Sequence, residues 1–245
     1  MITIAFFWVG ENTDIPVSLV KSVRLVMGHA VNLVQLTNRE TKEIEGVTSV
    51  HRFQLSPKIM VARLEAYSYY KPETDEVFFC DADCLFINKL SLPYKKGNGI
   101  YLSQRQEDFK LNHNYPEYYE EFVNKTANQV MPFLFGALST KGNQQKFFKD
   151  LLNTCVELPE RFHRWYGDQY SLYLNTKDKK DSYLMLNPNV YQYVIKKPLL
   201  INELKKLYKN NVQMLHFKGP DTKILLEQAF ILISFFYKEL KSKTD

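Results

Sequence analysis

An apolar run at residues 77–87, Val-Phe-Phe-Cys-Asp-Ala-Asp-Cys-Leu-Phe-Ile, limits what this chain can fold into more than any other segment. A run of this length predicts a strand buried on both faces, as in a parallel sheet. Asp81 and Asp83 interrupt the run, and two anions at the end of a buried strand are costly unless their charge is compensated. Because side chains alternate along an extended strand, both carboxylates are expected on the same side. Hard cations such as Mg²⁺ and Mn²⁺ take carboxylate and phosphate oxygens, so the pair predicts a metal–diphosphate site.

The Asp-x-Asp spacing has little weight by itself. In a chain of this composition, the number of Asp-x-Asp pairs expected by chance is about one-half. Its apolar surroundings favour a functional site, since buried anions need a compensating partner. The flanking Cys80 and Cys84 are interpreted as small buried apolar residues rather than as ligands. The chain has three cysteines without clustered spacing, which argues against a disulfide framework.

Composition and charge exclude several classes of protein. The chain has 245 residues, of which 45% are hydrophobic and 24% charged, as in an ordinary globular protein. The net charge is +5, but no nucleic-acid recognition motif accompanies it, so no nucleic-acid partner is predicted. The positive charge would attract anionic diphosphates or an anionic membrane surface. We see no signal peptide and no segment long enough to cross a membrane. A cytoplasmic location is predicted, with the inner face of the membrane as an alternative.

The first forty residues predict the unit of a parallel sheet. A strand at residues 2–9 precedes a helix at 17–28, which Pro16 opens and Gly28 ends, and a second strand follows at 31–36. Ligands of such sheets bind outside the carboxyl ends of the strands, which places Phe7-Trp8-Val9 and Thr37-Asn38 on the ligand side. Neither the glycine fingerprint of dinucleotide-binding folds nor a P-loop is present.

The remaining pattern continues to alternate between strands and helices, without repeats or a linker, so we predict a single domain. Residues 105–130 are polar and aromatic and are interpreted as an irregular insertion. Further strands are predicted at 47–53, 100–103, 131–139, 183–186, 190–194 and 212–220, and helices at 57–70 (capped by Ser56), at 146–155, after Gln169, and at 224–240.

Three groups of residues elsewhere in the chain are candidates for the same site as Asp81 and Asp83: the segment around His216, Asp168 with Gln169, and Arg63. His216 is either a histidine that is hydrogen-bonded at a strand end or a third metal ligand, since imidazole suits Mn²⁺. Gly219 would let the backbone approach a phosphate, and Lys218 or Lys223 would hold its charge.

Asp168 either caps the following helix or faces the pocket and holds a substrate hydroxyl. Arg63, in the middle of a predicted helix, either pairs with a phosphate, orients a carboxylate, or forms a structural ion pair.

The chain resembles the retaining galactosyl- and glucosyltransferases of the GT-A fold in its motifs and in their order. This family 8-like group includes glycogenin and the bacterial lipooligosaccharide galactosyltransferases. The matching elements are an apolar strand ending in Asp-x-Asp, an upstream helical Arg, an Asp-Gln pair ahead of a helix, and a late His-Phe-x-Gly. Their order is kept from Ile2 to Lys223. Two departures stand out: Lys223 is displaced by one position from the family's Lys-Pro-Trp, and Leu134-Phe135-Gly136 replaces its Asn-x-Gly.

The resemblance implies an α/β fold, a single-domain GT-A architecture with a Rossmann-like mixed sheet flanked by helices. Residues 1–104 would be the nucleotide-binding half, 105–223 the acceptor-binding and catalytic half, and 224–245 a C-terminal helix with a basic tail. The implied activity is transfer of a hexose from a nucleotide-sugar, a UDP-sugar, to a glycan or glycolipid acceptor in bacterial surface polysaccharide or lipopolysaccharide synthesis.

The resemblance also implies roles for individual residues. Mn²⁺, or Mg²⁺, would be held by Asp81, Asp83 and His216, and Asp168 and Gln169 would face the anomeric carbon and the acceptor. The implied contacts to the donor are made by Phe7, Trp8, Val9, Thr37, Asn38, Arg63, Asp81, Ala82, Lys218, Gly219 and Lys223.

Two other functions remain open at this stage. A phosphohydrolase of the haloacid-dehalogenase kind also places Asp-x-Asp after an apolar strand, but it needs a late Gly-Asp-x-x-x-Asp, and Leu172 stands where its second Asp would be. A non-catalytic nucleotide-sugar-binding protein could share the fold. The terminal helix, with Lys238, Lys241 and Lys243, either packs on the domain or contacts a membrane surface.

Overall fold

The computed structural model describes residues 1–93, 97, 99–111, 119–179 and 182–242. Its strands are β1 (Thr3–Phe7), β2 (Asn32–Thr37), β3 (Ser49–Arg52), β4 (Glu76–Cys80), β5 (Cys84–Phe86), β6 (Gly99–Gln104), β7 (Phe133–Lys141), β8 (Leu184–Leu186), β9 (Tyr193–Val194) and β10 (Met214–His216). Its helices are α1 (Asp14–Met27), α2 (Ile59–Tyr69), α3 (Tyr119–Phe122), α4 (Ala127–Val130), α5 (Gln145–Glu157), α6 (Glu160–Arg164), α7 (Gly167–Thr176), α8 (Pro188–Tyr191), α9 (Ile201–Lys209), α10 (Pro220–Lys223) and α11 (Leu226–Lys241).

Seven strands form a mixed central sheet in the order β3-β2-β1-β4-β7-β6-β8. β1 lies parallel to β2 and β4, whereas β7 runs antiparallel to β4 and β6. The predicted α/β fold, a mixed sheet flanked by helices, is confirmed. Because β1 and β4 are parallel neighbours, their carboxyl ends meet at one edge of the sheet, where ligands of such sheets bind.

The acidic run does not form one strand. β4 ends at Cys80, and β5 begins at Cys84 and belongs to a second sheet of order β5-β10-β9. The prediction of a single buried strand at residues 77–87 is therefore wrong, because the chain turns at residues 81–83, where Asp83 has His216 and Lys223 as partners. Asp81 and Asp83 instead occupy the turn between the sheets. The Asp81 N–H donates to the carbonyl of Gly136 (3.3 Å), and the Phe217 N–H donates to the carbonyl of Asp83 (3.0 Å).

Apolar layers cover both faces of the central sheet. Phe79 packs on one face with α2, α5 and α7, and its neighbour Phe78 packs on the other face with α1. A third cluster joins α9 and α11 to the second sheet, with Ile233 fully buried. Because apolar side chains of β4 point alternately to the two faces of the sheet, helices pack on both faces. The ends of the strands are left for the site.

Several predicted boundaries needed correction. The strand predicted at 190–194 is only partly present. Residues 190 and 191 end α8, which Asn187 caps through the Asn189 N–H (3.0 Å) with Pro188 in its first turn, and only Tyr193–Val194 form β9. α2 begins at Ile59 rather than at residue 57, and Ser56 does not cap it. α9 was not predicted, and the insertion at 105–130 contains α3 and α4, while residues 112–118 lie outside the described chain. Gly28 does end α1, with φ of 57°.

The terminal helix predicted at 224–240 is confirmed as α11. Its inner face packs against α1 and α9, whereas Ile231 and Phe235 are 61% and 55% exposed. Within the part of the chain that the structure describes, no helix is both long and apolar enough to span a membrane.

Candidate active site

The carboxyl ends of β1, β4 and β10 border a cavity of about 390 Å³. The sequence-predicted residues that line it come from five separate segments of the chain. They are Phe7, Trp8, Val9, Arg63, Asp81, Ala82, Asp83, Gln169, His216, Lys218, Gly219 and Lys223.

Asp81, Asp83 and His216 converge at the floor of this cavity. Nε2 of His216 lies 3.3 Å from Oδ1 of Asp83 and 3.6 Å from Oδ2 of Asp81. Oδ1 of Asp83 is buried and has no hydrogen-bond partner among the described residues. An orphaned carboxylate oxygen next to an imidazole nitrogen and a second carboxylate is a donor set that fits Mn²⁺ or Mg²⁺.

The environment of Asp83 keeps this carboxyl ionised. Burial alone would raise its pKa, but His216 and Lys223 outweigh burial and lower the pKa of Asp83 to about 2. Nζ of Lys223 lies 3.1 Å from Oδ2 of Asp83. The thiol of Cys84 also lies within 4.8 Å of donor atoms of Asp83 and His216, so the three could share one ion. Burial raises the pKa of the Cys84 thiol well above its usual range, so it stays protonated and is a poorer metal ligand than Asp81.

Arg63 of α2 links two of the carboxylates. Its Nη1 donates to Oδ1 of Asp81 (2.7 Å), and its Nη2 forms an ion pair with Oδ2 of Asp168. Asp168 is fully buried, does not line the cavity, and accepts the Gln169 N–H at 2.7 Å. The structure therefore does not bring Asp168 to the cavity as the resemblance implied; Asp168 fixes Arg63 instead.

Gln169 does reach the cavity, and an arginine that the sequence analysis missed holds its side chain. Nη2 of Arg105 donates to Oε1 of Gln169 (2.5 Å), while Nε of Arg105 donates to the carbonyl of Met131 (2.9 Å). Arg105 is only 3% exposed although it lies just after β6. Nothing in its local sequence distinguishes it from a surface arginine at the start of an irregular segment.

A cationic segment, residues 218–223, lines the cavity beside Asp83 and His216. Burial, followed by the nearby Arg105, lowers the pKa of Lys218 to about 8. Gly219 has a φ of 92°, a conformation that glycine adopts without strain, and nothing lies within 4 Å of where its Cβ would be. The open backbone at Gly219 and the amines of Lys218 and Lys223 fit a diphosphate.

Thr37 and Asn38 do not line this cavity. Thr37 is fully buried and its hydroxyl donates to the carbonyl of Trp8 (2.6 Å), so it supports the cavity wall from behind. Asn38 borders an adjoining cavity of about 450 Å³, which shares Val9 and Ile59 with the first.

Other lining residues escaped the sequence analysis. Trp165 and Tyr166 form one wall, and Tyr166 has a φ of 65°, which is uncommon for a tyrosine. A Cβ at Gly136 would lie 2.4 Å from Oδ2 of Asp81, which explains the glycine in this strand. Leu134 lines the cavity where the resembling family has asparagine. Gln192, which lies against His216, carried no sequence signal.

A mixed sheet whose central parallel strand ends in an acidic turn over such a cavity defines the GT-A glycosyltransferase fold. The structure of a glycosyltransferase involved in glycosylation of the major capsid of PBCV-1 matches with a TM-score of 0.60 and 11% identity, over 93% of this chain and 98% of that one. The galactosyltransferase LgtC, solved with donor and acceptor sugar analogues, matches at 0.58 and 16% identity, over 95% of both chains. Its active-site Gln-to-Glu mutant matches at 0.54 and 16%, over 89% of this chain and 88% of that one.

The glycosyltransferase GlyE of Streptococcus pneumoniae TIGR4 matches with a TM-score of 0.56 and 15% identity. Nearly the whole of this chain, 99%, aligns with 63% of GlyE. No protein-family model matches the sequence, and no curated protein matches it. At these identities the solved structures define the fold, and the chemistry has to be argued from the residues of the site.

Proposed function

We propose that this chain is a metal-dependent glycosyltransferase that moves a hexose from a UDP-sugar to a glycan or glycolipid acceptor. The observation that carries the proposal is the orphaned Oδ1 of Asp83, buried beside Nε2 of His216 and facing a cavity lined with cations. Lys223 pairs with Oδ2 of Asp83, whereas Oδ1 is left for a further cation, which in this cavity would stand next to a diphosphate.

Asp81, Asp83 and His216 would hold Mn²⁺ or Mg²⁺. When bound, the metal supplies a Lewis acid that stabilises the charge developing on the departing diphosphate. Lys218 and Lys223 stand on the same side and would bind the diphosphate oxygens directly. Because the pKa of Lys218 is lowered to about 8, most of its amines are still protonated at neutral pH.

Gln169 would face the anomeric carbon and the acceptor. Its side-chain oxygen is directed by Arg105, and its backbone N–H is held by Asp168, so its position is fixed from two sides. An amide is a weak nucleophile, which suits stabilisation of an oxocarbenium-like species rather than a long-lived covalent intermediate. The active-site glutamine of LgtC supports assigning this role to Gln169.

The donor would extend from this centre along the strand ends. Phe7, Trp8 and Val9 would contact its base and ribose, and Asn38 would meet the base in the adjoining cavity. Trp165 is 54% exposed on the cavity wall and would offer its ring face to the acceptor sugar. A surface polysaccharide or lipopolysaccharide acceptor at the inner membrane face would agree with the basic end of α11.

The proposal is tested by thermal unfolding with UDP, GDP or CMP, each with and without Mn²⁺. A ligand present at a hundred times its dissociation constant should stabilise the fold by about 2.7 kcal/mol. We expect this shift with UDP plus Mn²⁺, and we expect Asp83→Asn to lose it. Asp150→Asn is the matched control, because Asp150 forms an exposed pair with Lys146 on α5. A shift that is indifferent to metal and to Asp83 would contradict the proposal.

Turnover separates the proposed enzyme from its alternatives. Release of UDP from a UDP-sugar with formation of a glycosidic bond would identify the transferase. Release of inorganic phosphate from phosphate esters would identify a phosphohydrolase, and metal-dependent nucleotide binding without any turnover would identify a binding protein.

A further inference from the structure

Gln192 lines the cavity beside His216 of the candidate metal site. It lies between α8 and β9, is 1% exposed, and its backbone N–H donates to the carbonyl of Pro188 (3.0 Å). Its side-chain Nε2 lies 3.0 Å from Nδ1 of His216. Its Oε1 is buried and has no hydrogen-bond partner among the residues that the structure describes. The amide is thus packed against the histidine with its acceptor unused.

The direction of this amide decides which nitrogen of His216 carries the proton. With the amide nitrogen toward Nδ1, Nδ1 must accept and the ring proton sits on Nε2, facing the Asp83 carboxylate. A metal cannot bind a protonated Nε2. Turning the amide over exchanges oxygen and nitrogen with almost no change in shape. Oε1 then accepts the Nδ1–H, and the lone pair of Nε2 faces the two aspartates.

Close packing restrains Gln192 in this position. An ideal Cβ at Gly136 would lie 2.7 Å from Nε2 of Gln192 and 2.4 Å from Oδ2 of Asp81. The amide and the carboxylate therefore share the space that a side chain at residue 136 would fill. A histidine ligand whose other ring nitrogen donates to a fixed acceptor is held in one tautomer and one orientation.

We propose that Gln192 is a positioning residue for the metal: its Oε1 accepts the Nδ1–H of His216 and so presents Nε2 to a divalent cation held with Asp81 and Asp83. This inference rests on the proposed metal-dependent transferase function. It adds a residue that would orient His216 rather than serve as a ligand of the cation.

The test is the Mn²⁺ affinity of the protein in the presence of UDP, measured by calorimetry. Gln192→Leu keeps the volume but removes the acceptor, and we expect about 10- to 100-fold weaker Mn²⁺ binding. Gln192→Glu restores an acceptor and should retain the affinity. The control is Gln35→Leu. Gln35 is equally buried, but its side chain bonds to the carbonyl of Lys42 and the N–H of Ile44. It should bind Mn²⁺ like the wild type.

The tautomer itself can be read from the ¹⁵N shifts of the His216 ring with Mg²⁺ and UDP. We expect the Nδ1–H form in the wild type and its loss in Gln192→Leu. Unchanged Mn²⁺ affinity in Gln192→Leu, or an Nε2–H histidine in the Mg²⁺-loaded wild type, would overturn the role of Gln192 alone. A wild type that binds no Mn²⁺ in the presence of UDP would overturn the proposed function as well.

Discussion

Replacing Arg63 with methionine should destabilise the fold by about 3–5 kcal/mol, the range observed when one partner of a buried ion pair is removed. Arg63 is 14% exposed and pairs with Asp168, whose side chain is fully buried. Without the guanidinium, the Gln169 N–H is the one donor that Asp168 keeps among the residues that the structure describes. Asp81, the other partner of Arg63, is 26% exposed and can recover solvation, so most of the loss should come from Asp168.

A double-mutant cycle isolates this effect. Asp168→Asn removes the buried charge, so Arg63→Met combined with Asp168→Asn should be more stable than Arg63→Met alone. The measurement is urea unfolding of the four proteins, supported by melting temperatures that should fall by about 2–4 °C per kcal/mol in a chain of this size. The exposed Lys146–Asp150 pair on α5 provides the control cycle, with a coupling of about 0.5 kcal/mol or less.

The reasoning would be refuted in two ways. A loss below about 1 kcal/mol in Arg63→Met would show that Asp168 is not a buried uncompensated anion in the variant, since it would match an exposed pair. A double variant that is no more stable than Arg63→Met would show that the loss of stability comes from lost packing of the arginine rather than from charge. That packing includes the contact of its guanidinium with the Phe135 ring, 5.1 Å from the ring centroid.

Three further predictions follow from the geometry. Gly136→Ala should weaken Mn²⁺ binding in calorimetry while the protein stays folded, because the new Cβ would stand 2.4 Å from Oδ2 of Asp81; unchanged affinity would show that this carboxylate is not a ligand. The three cysteines are buried, so a thiol reagent should label none in the native protein and all three after denaturation; rapid native labelling would contradict the packing. Lys238→Ala with Lys241→Ala should reduce sedimentation with anionic vesicles if α11 contacts a membrane, and equal sedimentation of variant and wild type would exclude that contact.

Local sequence patterns were enough to predict most of the sheet and the three residues that converge at the candidate metal site. The β1–α1–β2 unit, the Asp-x-Asp turn and the late His-Phe-x-Gly each have a short-range signal, namely periodicity, a special glycine, or a charge in an apolar run. Residues that orient other side chains of the site have no such signal. Gln192 follows the one-turn helix α8 and Arg105 follows β6, and only the tertiary fold brings them to His216 and Gln169.

Two expectations about the acidic turn differ from the structure: that residues 77–87 form one strand, and that Asp168 faces the substrate. Both differences show why the candidate site lies at the strand ends. The length of the apolar run predicted one strand over residues 77–87, but the chain leaves the central sheet after Cys80 and enters the second sheet at Cys84, with the two carboxylates in the turn between them. The interval between the sheets is where β10 delivers His216 and where α2 delivers Arg63. Asp168 was predicted to face substrate, yet its charge is used to orient Arg63. Charge that can be buried only with partners therefore shapes the fold here, and the same carboxylates, held by a histidine and two basic side chains, form the site where we propose that a cation binds.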